Sequence, residues 1–263
     1  MTLDIDIAAG ERTQAARNLI DRAQDGLVDL AIVTALELCS LGVPAHPLFD
    51  ELPARAWARL GRLQRGQVTD QATRGLVRRR LLIDTTSRTS PEQPIETCAL
   101  KPELGLVLAA RCRPAFAVII QAEDHNPRTL RLFALGGEAG PVRGFVLEAP
   151  GLPPDPERYF ANVSKLGPLG WLYRYVLVSR DMAADSLAQW TVFPPLRPGA
   201  SACLGWLVSA WYPDRKNPAG HYLRIRGDGT RACLDGLADG APGQYDVDGL
   251  RAVMLDLLTR PSR

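Results

Sequence analysis

The side chains that most often carry out acid–base chemistry are scarce in this sequence. Its three histidines, His46, His125 and His221, each lie next to a proline or a glycine or within a turn. The patterns GxSxG, HExxH, GxxxxGK followed by Ser or Thr, and GxGxxG after a strand do not occur. The sequence therefore does not favour the main hydrolytic and nucleotide-binding classes, and an enzyme of unfamiliar type stays open as an alternative.

Five cysteines are spread along the chain without a CxxC pair, at positions 39, 98, 112, 203 and 233. Their number is odd and their spacings are too wide for a zinc knuckle, so neither a metal nor another cofactor is expected. Because a free cysteine behaves as a small hydrophobic side chain, we expect reduced and mostly buried thiols.

A polar segment in the second half of the chain follows an aromatic pair. Trp211 and Tyr212 stand just before Asp214, Arg215 and Lys216. Aromatic side chains and arginine are enriched where proteins hold their partners. The sequence therefore predicts that these five residues contact a protein client. The alternative is a solvated loop whose aromatic residues cap the core.

Positive charge is concentrated in residues 51–90, where nine arginines face three acidic residues and the net charge is +6. Helix, turn, helix and a short strand in this order are typical of a winged helix. That motif would place Gln71, Arg74, Arg78 and Arg79 in a DNA groove. The whole chain carries only +2, which by itself does not favour nucleic acid. DNA is therefore the alternative partner.

The first 95 residues are predicted to be helical. On the third of the predicted helices, Trp57 and Leu60 share one face, and Leu81 to Asp84 closes the segment. Thr69 is expected to cap the fourth helix. Apolar spacing indicates helices over residues 11–24, 27–41, 53–64 and 71–80.

From residue 96 onwards the pattern changes to short β-branched and aromatic runs separated by turns, which is typical of antiparallel strands. Pro102 begins a helix that extends to about Arg111, and Asp246 caps a final helix over 247–259. Asp228-Gly229 predicts a hairpin turn. The predicted strands cover residues 115–121, 129–135, 142–148, 172–179, 189–193, 203–211 and 221–226.

This order of elements predicts an α+β fold, with a central antiparallel β-sheet flanked by helices at both chain ends. A winged-helix-like unit lies in the N-terminal segment. We expect a helical segment over 1–95 and a sheet with a closing helix over 96–263. One continuous domain with a break near residue 150 is the alternative.

The composition is that of an ordinary globular protein, with 46% hydrophobic and 23% charged residues among 263. Its apolar runs are much shorter than the roughly 18 residues that a membrane span requires. The acidic start from Met1 to Asp6 lacks the basic region of a signal peptide. We therefore expect a cytoplasmic protein with no membrane insertion.

Several apolar motifs resemble, in their order, a family of secretion proteins. They are LELCSLGVPAHPL at 36–48, a helix with Trp57 and Leu60, RGL at 74–76, LLID at 81–84, LKPELGLVLAAR at 100–111 and GHYL at 220–223, with the leucine-rich final helix. Together they resemble the ESX secretion-associated EspG family over roughly residues 30–150 and 203–260.

The resemblance implies a cytosolic, non-enzymatic chaperone that binds the tip of a PPE-type substrate of a type VII secretion system and keeps it soluble. Arg78 to Arg80 and Asp214 to Gly220 have no counterpart in the family pattern, so no binding residue is transferred from it. We therefore expect a protein-binding, chaperone-like function. A winged-helix regulator that binds DNA and an enzyme of unfamiliar type are the alternatives.

Overall fold

The computed structural model of the chain describes residues 14–43, 48–85, 98–122, 129–136, 142–150, 165–192, 204–212, 219–227, 232–235 and 243–259. The α-helices in this part of the chain are α1 (Gln14–Arg22), α2 (Ala35–Ser40), α3 (Glu51–Arg59), α4 (Arg62–Arg78), α5 (Pro102–Cys112), α6 (Arg180–Val192) and α7 (Val247–Thr259), with a 3-10 helix at Gly167–Gly170. The strands are β1 (Val28–Thr34), β2 (Leu82–Asp84), β3 (Cys98–Leu100), β4 (Ala117–Ala122), β5 (Thr129–Leu135), β6 (Gly144–Pro150), β7 (Leu172–Val178), β8 (Leu204–Trp211), β9 (Ala219–Gly227), β10 (Ala232–Asp235) and β11 (Gly243–Tyr245).

The chain divides into two compact units, each built from segments that are distant in sequence. The first unit comprises Met1–Asp21, Asp29–Arg113 and Ala149–Val176, and the second comprises Arg22–Val28, Pro114–Glu148 and Leu177–Arg263.

In the first unit, α2 packs against α3, α4 and the 3-10 helix. Strand β1 lies beside β7, and an ion pair joins Asp29 to Arg174 with a distance of 2.6 Å between Oδ1 and Nη2. The short strands β2 and β3 pair antiparallel. Fully buried leucines from three helices, α2, α4 and α5, form the core of this unit, among them Leu38, Leu76 and Leu106.

In the second unit, seven strands lie side by side in the order β6-β5-β4-β8-β9-β10-β11. Every neighbouring pair in this order is antiparallel. Helices α6 and α7 pack against each other, and Arg251 of α7 forms an ion pair with Asp185 of α6. Buried aromatic side chains fill the sheet interior, including Phe133, Phe145 and Trp206.

The predicted α+β class is confirmed, since helices and one large antiparallel sheet make up the described chain. The predicted helix after Pro102 is α5, and the predicted final helix is α7 with its bounds unchanged. Asp246 caps α7, because its Oδ1 accepts a hydrogen bond of 2.8 Å from the Gly249 amide. Strands β9 and β10 pair as the predicted hairpin requires, while the turn residues themselves lie outside the described part.

The prediction of one helix over 27–41 is wrong in its first half. Val28–Thr34 is strand β1, with Val28, Leu30 and Val33 buried. Thr34 then begins α2 through a capping box with Glu37. The Thr34 hydroxyl accepts from the Glu37 amide at 3.1 Å, and the Thr34 amide donates to the Glu37 carboxylate at 2.8 Å. This box fixes the change from strand to helix.

The predicted helix boundaries between residues 53 and 80 are also wrong. The break falls at Leu60 and Gly61, and α4 runs without interruption through Thr69. Thr69 is buried inside the helix, and its carbonyl accepts a hydrogen bond of 2.8 Å from the Thr73 hydroxyl. Thr69 is therefore not an N-cap. The two helices of the predicted helix-turn-helix exist, but the connection between them lies elsewhere.

The strand predicted at 189–193 is wrong, because residues 180–192 form α6. Ala183, Ala184, Leu187 and Ala188 are buried at spacings of one, three and four residues, which places them on one helical face. The Ser179 hydroxyl accepts a hydrogen bond of 3.3 Å from the Met182 amide at the start of this helix. The helical spacing of these buried residues thus favours a helix over the predicted strand.

Candidate protein-binding site

The connection between α3 and α4 is held in place by an arginine. The Arg65 guanidinium donates hydrogen bonds to the carbonyls of Trp57 at 3.2 Å and Ala58 at 2.7 Å. It also lies 5.8 Å from the centre of the Trp57 ring, within cation–π range. The last carbonyls of α3 therefore have partners from α4, and the angle between the two helices is fixed.

A cavity of about 490 Å³ lies where the end of α2, the end of α3 and the first turns of α4 meet. This volume falls within the range of roughly 300–1,000 Å³ that is typical of binding pockets. We call this cavity the α2–α4 groove. It is lined by Cys39, Ser40, Leu41, Gly42, Trp57, Leu60, Arg62, Arg65, Gly66 and Thr69.

The α2–α4 groove combines apolar side chains with positive charge. Leu41, Trp57 and Leu60 supply apolar surface, and Arg62 and Arg65 supply two guanidinium groups. The described lining residues include no aspartate or glutamate. Such a surface suits a ligand that carries apolar and anionic groups together.

Leu63 follows Arg62 on α4 and is 85% exposed, the largest exposure among the described large apolar side chains. Leu52 on α3 is 54% exposed. Removing a leucine side chain from water stabilises a protein or a complex by about 1.5–3 kcal/mol. Both leucines are on helices that contribute to the groove, although neither lines the cavity itself.

Gly66 lies inside α4, where glycine costs about 1 kcal/mol of helix stability relative to alanine. No other part of the described chain comes within 4 Å of the position that a Cβ atom would occupy at residue 66. Internal packing therefore does not explain this glycine. Its backbone is open towards the groove that it lines.

Three of the four residues predicted to contact DNA share one face of α4. Gln71, Arg74 and Arg78 are exposed at three- and four-residue spacing, opposite the buried face. Arg74 forms an ion pair of 3.0 Å with Asp70, which partly neutralises this face.

The fourth residue, Arg79, is also exposed, and its guanidinium bonds to other elements of the first unit. Its guanidinium forms an ion pair with the Glu37 carboxylate and donates a hydrogen bond of 2.6 Å to the Ile32 carbonyl. These bonds tie the end of α4 to β1 and α2. Arg79 therefore has a structural contact where the sequence predicted a contact to DNA.

The predicted client surface around Trp211 is only partly described. Trp211 is half-buried at the end of β8, and Tyr212 is only 6% exposed. The Tyr212 ring lies 5.9 Å from that of Phe116, so Tyr212 belongs to the core of the second unit. Tyr212 is therefore buried at a position where a contact residue was predicted, and the client surface itself stays a prediction. Asp214, Arg215 and Lys216 lie outside the described residues.

A fully buried arginine, Arg111, anchors the core of the first unit. It donates hydrogen bonds to the Leu48 carbonyl at 3.0 Å and to the Tyr175 hydroxyl at 3.2 Å. Its guanidinium lies 5.3 Å from the centre of the Phe49 ring and 5.8 Å from that of Tyr173. Aromatic rings and two hydrogen-bond acceptors therefore surround this buried cation, and they offset part of the cost of removing its charge from water.

The positive charge of Arg111 acts on the thiols of two cysteines, Cys39 and Cys112. Burial raises the pKa of the Cys39 thiol to about 12, although the Arg111 charge acts in the opposite direction. Burial also raises the pKa of the Cys112 thiol, again against the charge of Arg111. Both thiols are therefore protonated at neutral pH. A protonated thiol is a poor nucleophile and a poor metal ligand.

A second buried charge lies in the second unit, where Arg131 of β5 is the cross-strand partner of Glu148 of β6. The two side chains are 7% and 1% exposed and form an ion pair of 2.5 Å. The pair joins neighbouring strands and is enclosed by protein, so we assign it a structural role.

Within the described chain, no group of three or more histidine, cysteine, aspartate or glutamate side chains is arranged to hold a metal ion. No helix in that part is both long enough and apolar enough to span a bilayer.

Comparisons with known proteins do not assign the chain to a family, because neither a protein-family model nor a curated protein matches it. The likeness to the EspG family thus rests on the motifs in the sequence alone.

Sequence reasoning identified part of the groove and missed the rest. It placed Trp57 and Leu60 on one helical face, but it did not single out Arg62, Arg65 or Gly66. Gly61 was a weak signal, because a glycine lowers the stability of a helix at its position, although α4 itself contains Gly66 and Gly75 without a break. With the break placed there, the following residues become the exposed first turns of a new helix.

Proposed function

We propose that this chain is a non-enzymatic, chaperone-like protein that binds a protein client and keeps it soluble. The α2–α4 groove is the observation that carries this proposal, because it places apolar side chains, among them Trp57 and Leu60, beside two arginines around one cavity. Exposed apolar surface next to arginine and tryptophan is typical of protein-binding sites. The likeness to the EspG family supports the same function and suggests a PPE-type client in the cytoplasm.

The test is co-expression of the full chain with a PPE-type protein encoded in the same genome. We expect the client to be insoluble alone and to elute with the chain as one complex in size-exclusion chromatography. Leu60→Asp should reduce the yield of the complex by about tenfold or more, because it puts a charge among the apolar side chains that line the groove.

Leu27→Asp is the matched control, since Leu27 is 62% exposed and belongs to the second unit. This variant should form the complex as the unaltered chain does. A client that stays insoluble in the presence of the chain would refute the proposed function. An equal loss of complex in the groove variant and in Leu27→Asp would show that the groove is not the binding site.

A DNA-binding regulator is the second candidate, favoured by the exposed face of α4 with Gln71, Arg74 and Arg78. A mobility-shift titration tests it. A regulator of this kind should lose affinity by about 0.9 log units per log unit of salt for each phosphate that it neutralises. Arg78→Ala should then weaken binding. The absence of any shift at low salt, or no effect of Arg78→Ala, would dismiss this candidate.

A further inference from the structure

We propose that the α2–α4 groove binds an acidic amphipathic helix of the client, with its apolar side chains in the cavity and its carboxylates on Arg62 and Arg65. This inference rests on the proposed function and names the chemistry of the segment that is bound.

One face of α4 changes along its length from buried to exposed or half-buried. Ala72, Thr73 and Leu76 are buried on this face, which there packs against α2. Arg62 and Gly66 continue the same face towards the N-terminus at helical spacing, and both line the cavity. The groove is therefore the open end of a helix-packing surface, and a further helix would complete it.

Gly66 lies in the middle of that open face. A helix that packs against another helix can approach its backbone closely at a glycine. Nothing in the described chain makes such an approach at Gly66. A partner helix that crosses α4 at this point would use the space.

The charges around the groove favour an acidic partner. The first turn of α4 contains no acidic residue, and both Arg62 and Arg65 line the cavity beside it. The N-terminal end of a helix also carries a partial positive charge. Carboxylates on the partner would complement Arg62, Arg65 and the N-terminal end of α4, whereas lysines would be repelled. A helix that places an apolar face in a groove between helices is a recurring mode of peptide recognition.

The test uses three stapled peptides of about four helical turns, each labelled with fluorescein and titrated with the full chain. The first has a leucine stripe flanked by glutamates. The second has lysines in place of the glutamates. The third has the composition of the first in an order that destroys the stripe. We expect the first peptide to bind about tenfold or more tightly than either of the others.

Arg62→Glu should lower the affinity for the acidic peptide by about tenfold and raise the affinity for the lysine peptide. Arg78→Glu is the matched control, since it makes the same change of charge about 24 Å away along α4, and it should leave both affinities unchanged. Gly66→Ala should raise the melting temperature of the chain by about 2–4 °C and still lower its affinity for the acidic peptide. A loss of binding in a more stable variant is not a folding defect.

Equal affinity for the acidic and lysine peptides, or equal effects of Arg62→Glu and Arg78→Glu, would overturn the inference. Two other occupants would also overturn it. One is a second copy of the chain, shown by a dimer that Leu60→Asp converts to a monomer. The other is a lipid, shown by palmitate that binds the groove while the acidic peptide does not.

The peptide titrations and the co-expression with the client can fail independently of each other. A client that forms a complex equally well with the unaltered chain and with Arg62→Glu would preserve the function and refute the groove chemistry. A client that forms no complex would refute the function whatever the peptides do.

Discussion

At the scale of single residues, Arg80 stands out because its φ of 60° lies in the left-handed region, which favours glycine. It follows α4 in a Schellman motif, in which the Arg80 amide donates to the Val77 carbonyl and the Leu81 amide to the Leu76 carbonyl, both at 2.9 Å. We expect Arg80→Gly to raise the free energy of unfolding by about 0.5–1 kcal/mol, measured by urea denaturation.

Gly42 provides the matched control, because it occupies the same position after α2 with a φ of 88°. Gly42→Ala should lower the free energy of unfolding by about 1 kcal/mol. If Arg80→Gly destabilises the chain, the left-handed conformation at residue 80 is not a source of strain.

Cys39 makes the stability of the chain depend on pH in the alkaline range. Its pKa is about 12 in the folded chain and 9.0 in the unfolded reference. Between these values the folded thiol keeps its proton and the unfolded thiol loses it. The stabilisation is therefore complete below pH 9 and falls as pH rises, by at most about 1.4 kcal/mol per pH unit.

Urea denaturation at several pH values between 8 and 11 measures this dependence. Cys39→Ala removes the thiol, so the free energy of unfolding of this variant should fall less steeply with pH than that of the unaltered chain. Identical slopes for the two proteins would show that the Cys39 thiol ionises equally in both states.

At the scale of elements, the contact between α2 and the end of α4 determines the geometry of the first unit. Arg79 joins the Glu37 carboxylate, which is also part of the capping box of α2. Arg79→Ala leaves this largely buried carboxylate with fewer donors, so we expect a loss of about 1–3 kcal/mol in the free energy of unfolding.

The neighbouring residue is the control for this prediction. Arg78 is exposed, so Arg78→Ala should change the free energy of unfolding by no more than about 0.5 kcal/mol. Urea denaturation of the two variants gives the comparison. Equal effects would contradict the structural role assigned to Arg79.

Elements were predictable wherever local signals and tertiary packing agree. The helix after Pro102, the strand over 129–135 and the final helix carry clear start signals or alternation, and they were predicted well. Strand β1 was not, because its apolar residues also fit a helical spacing and only the neighbouring strand β7 selects the extended form.

At the scale of the whole molecule, the fold class follows from the order of elements, whereas the candidate site does not follow from any motif. The α2–α4 groove depends on how α2, α3 and α4 pack together, and the break at Gly61 decides which side chains line it. Arg79 illustrates the same limit, because its sequence neighbours predict a DNA contact and its Glu37 partner is 42 residues away.

The central claim is that the α2–α4 groove binds a protein client, and amide hydrogen exchange of the co-purified complex tests it most directly. Compared with the free chain, the complex with a PPE-type client should show slower exchange over residues 57–69, with exposed segments of the second unit unchanged. A stable complex in which exchange over residues 57–69 equals that of the free chain would contradict the claim.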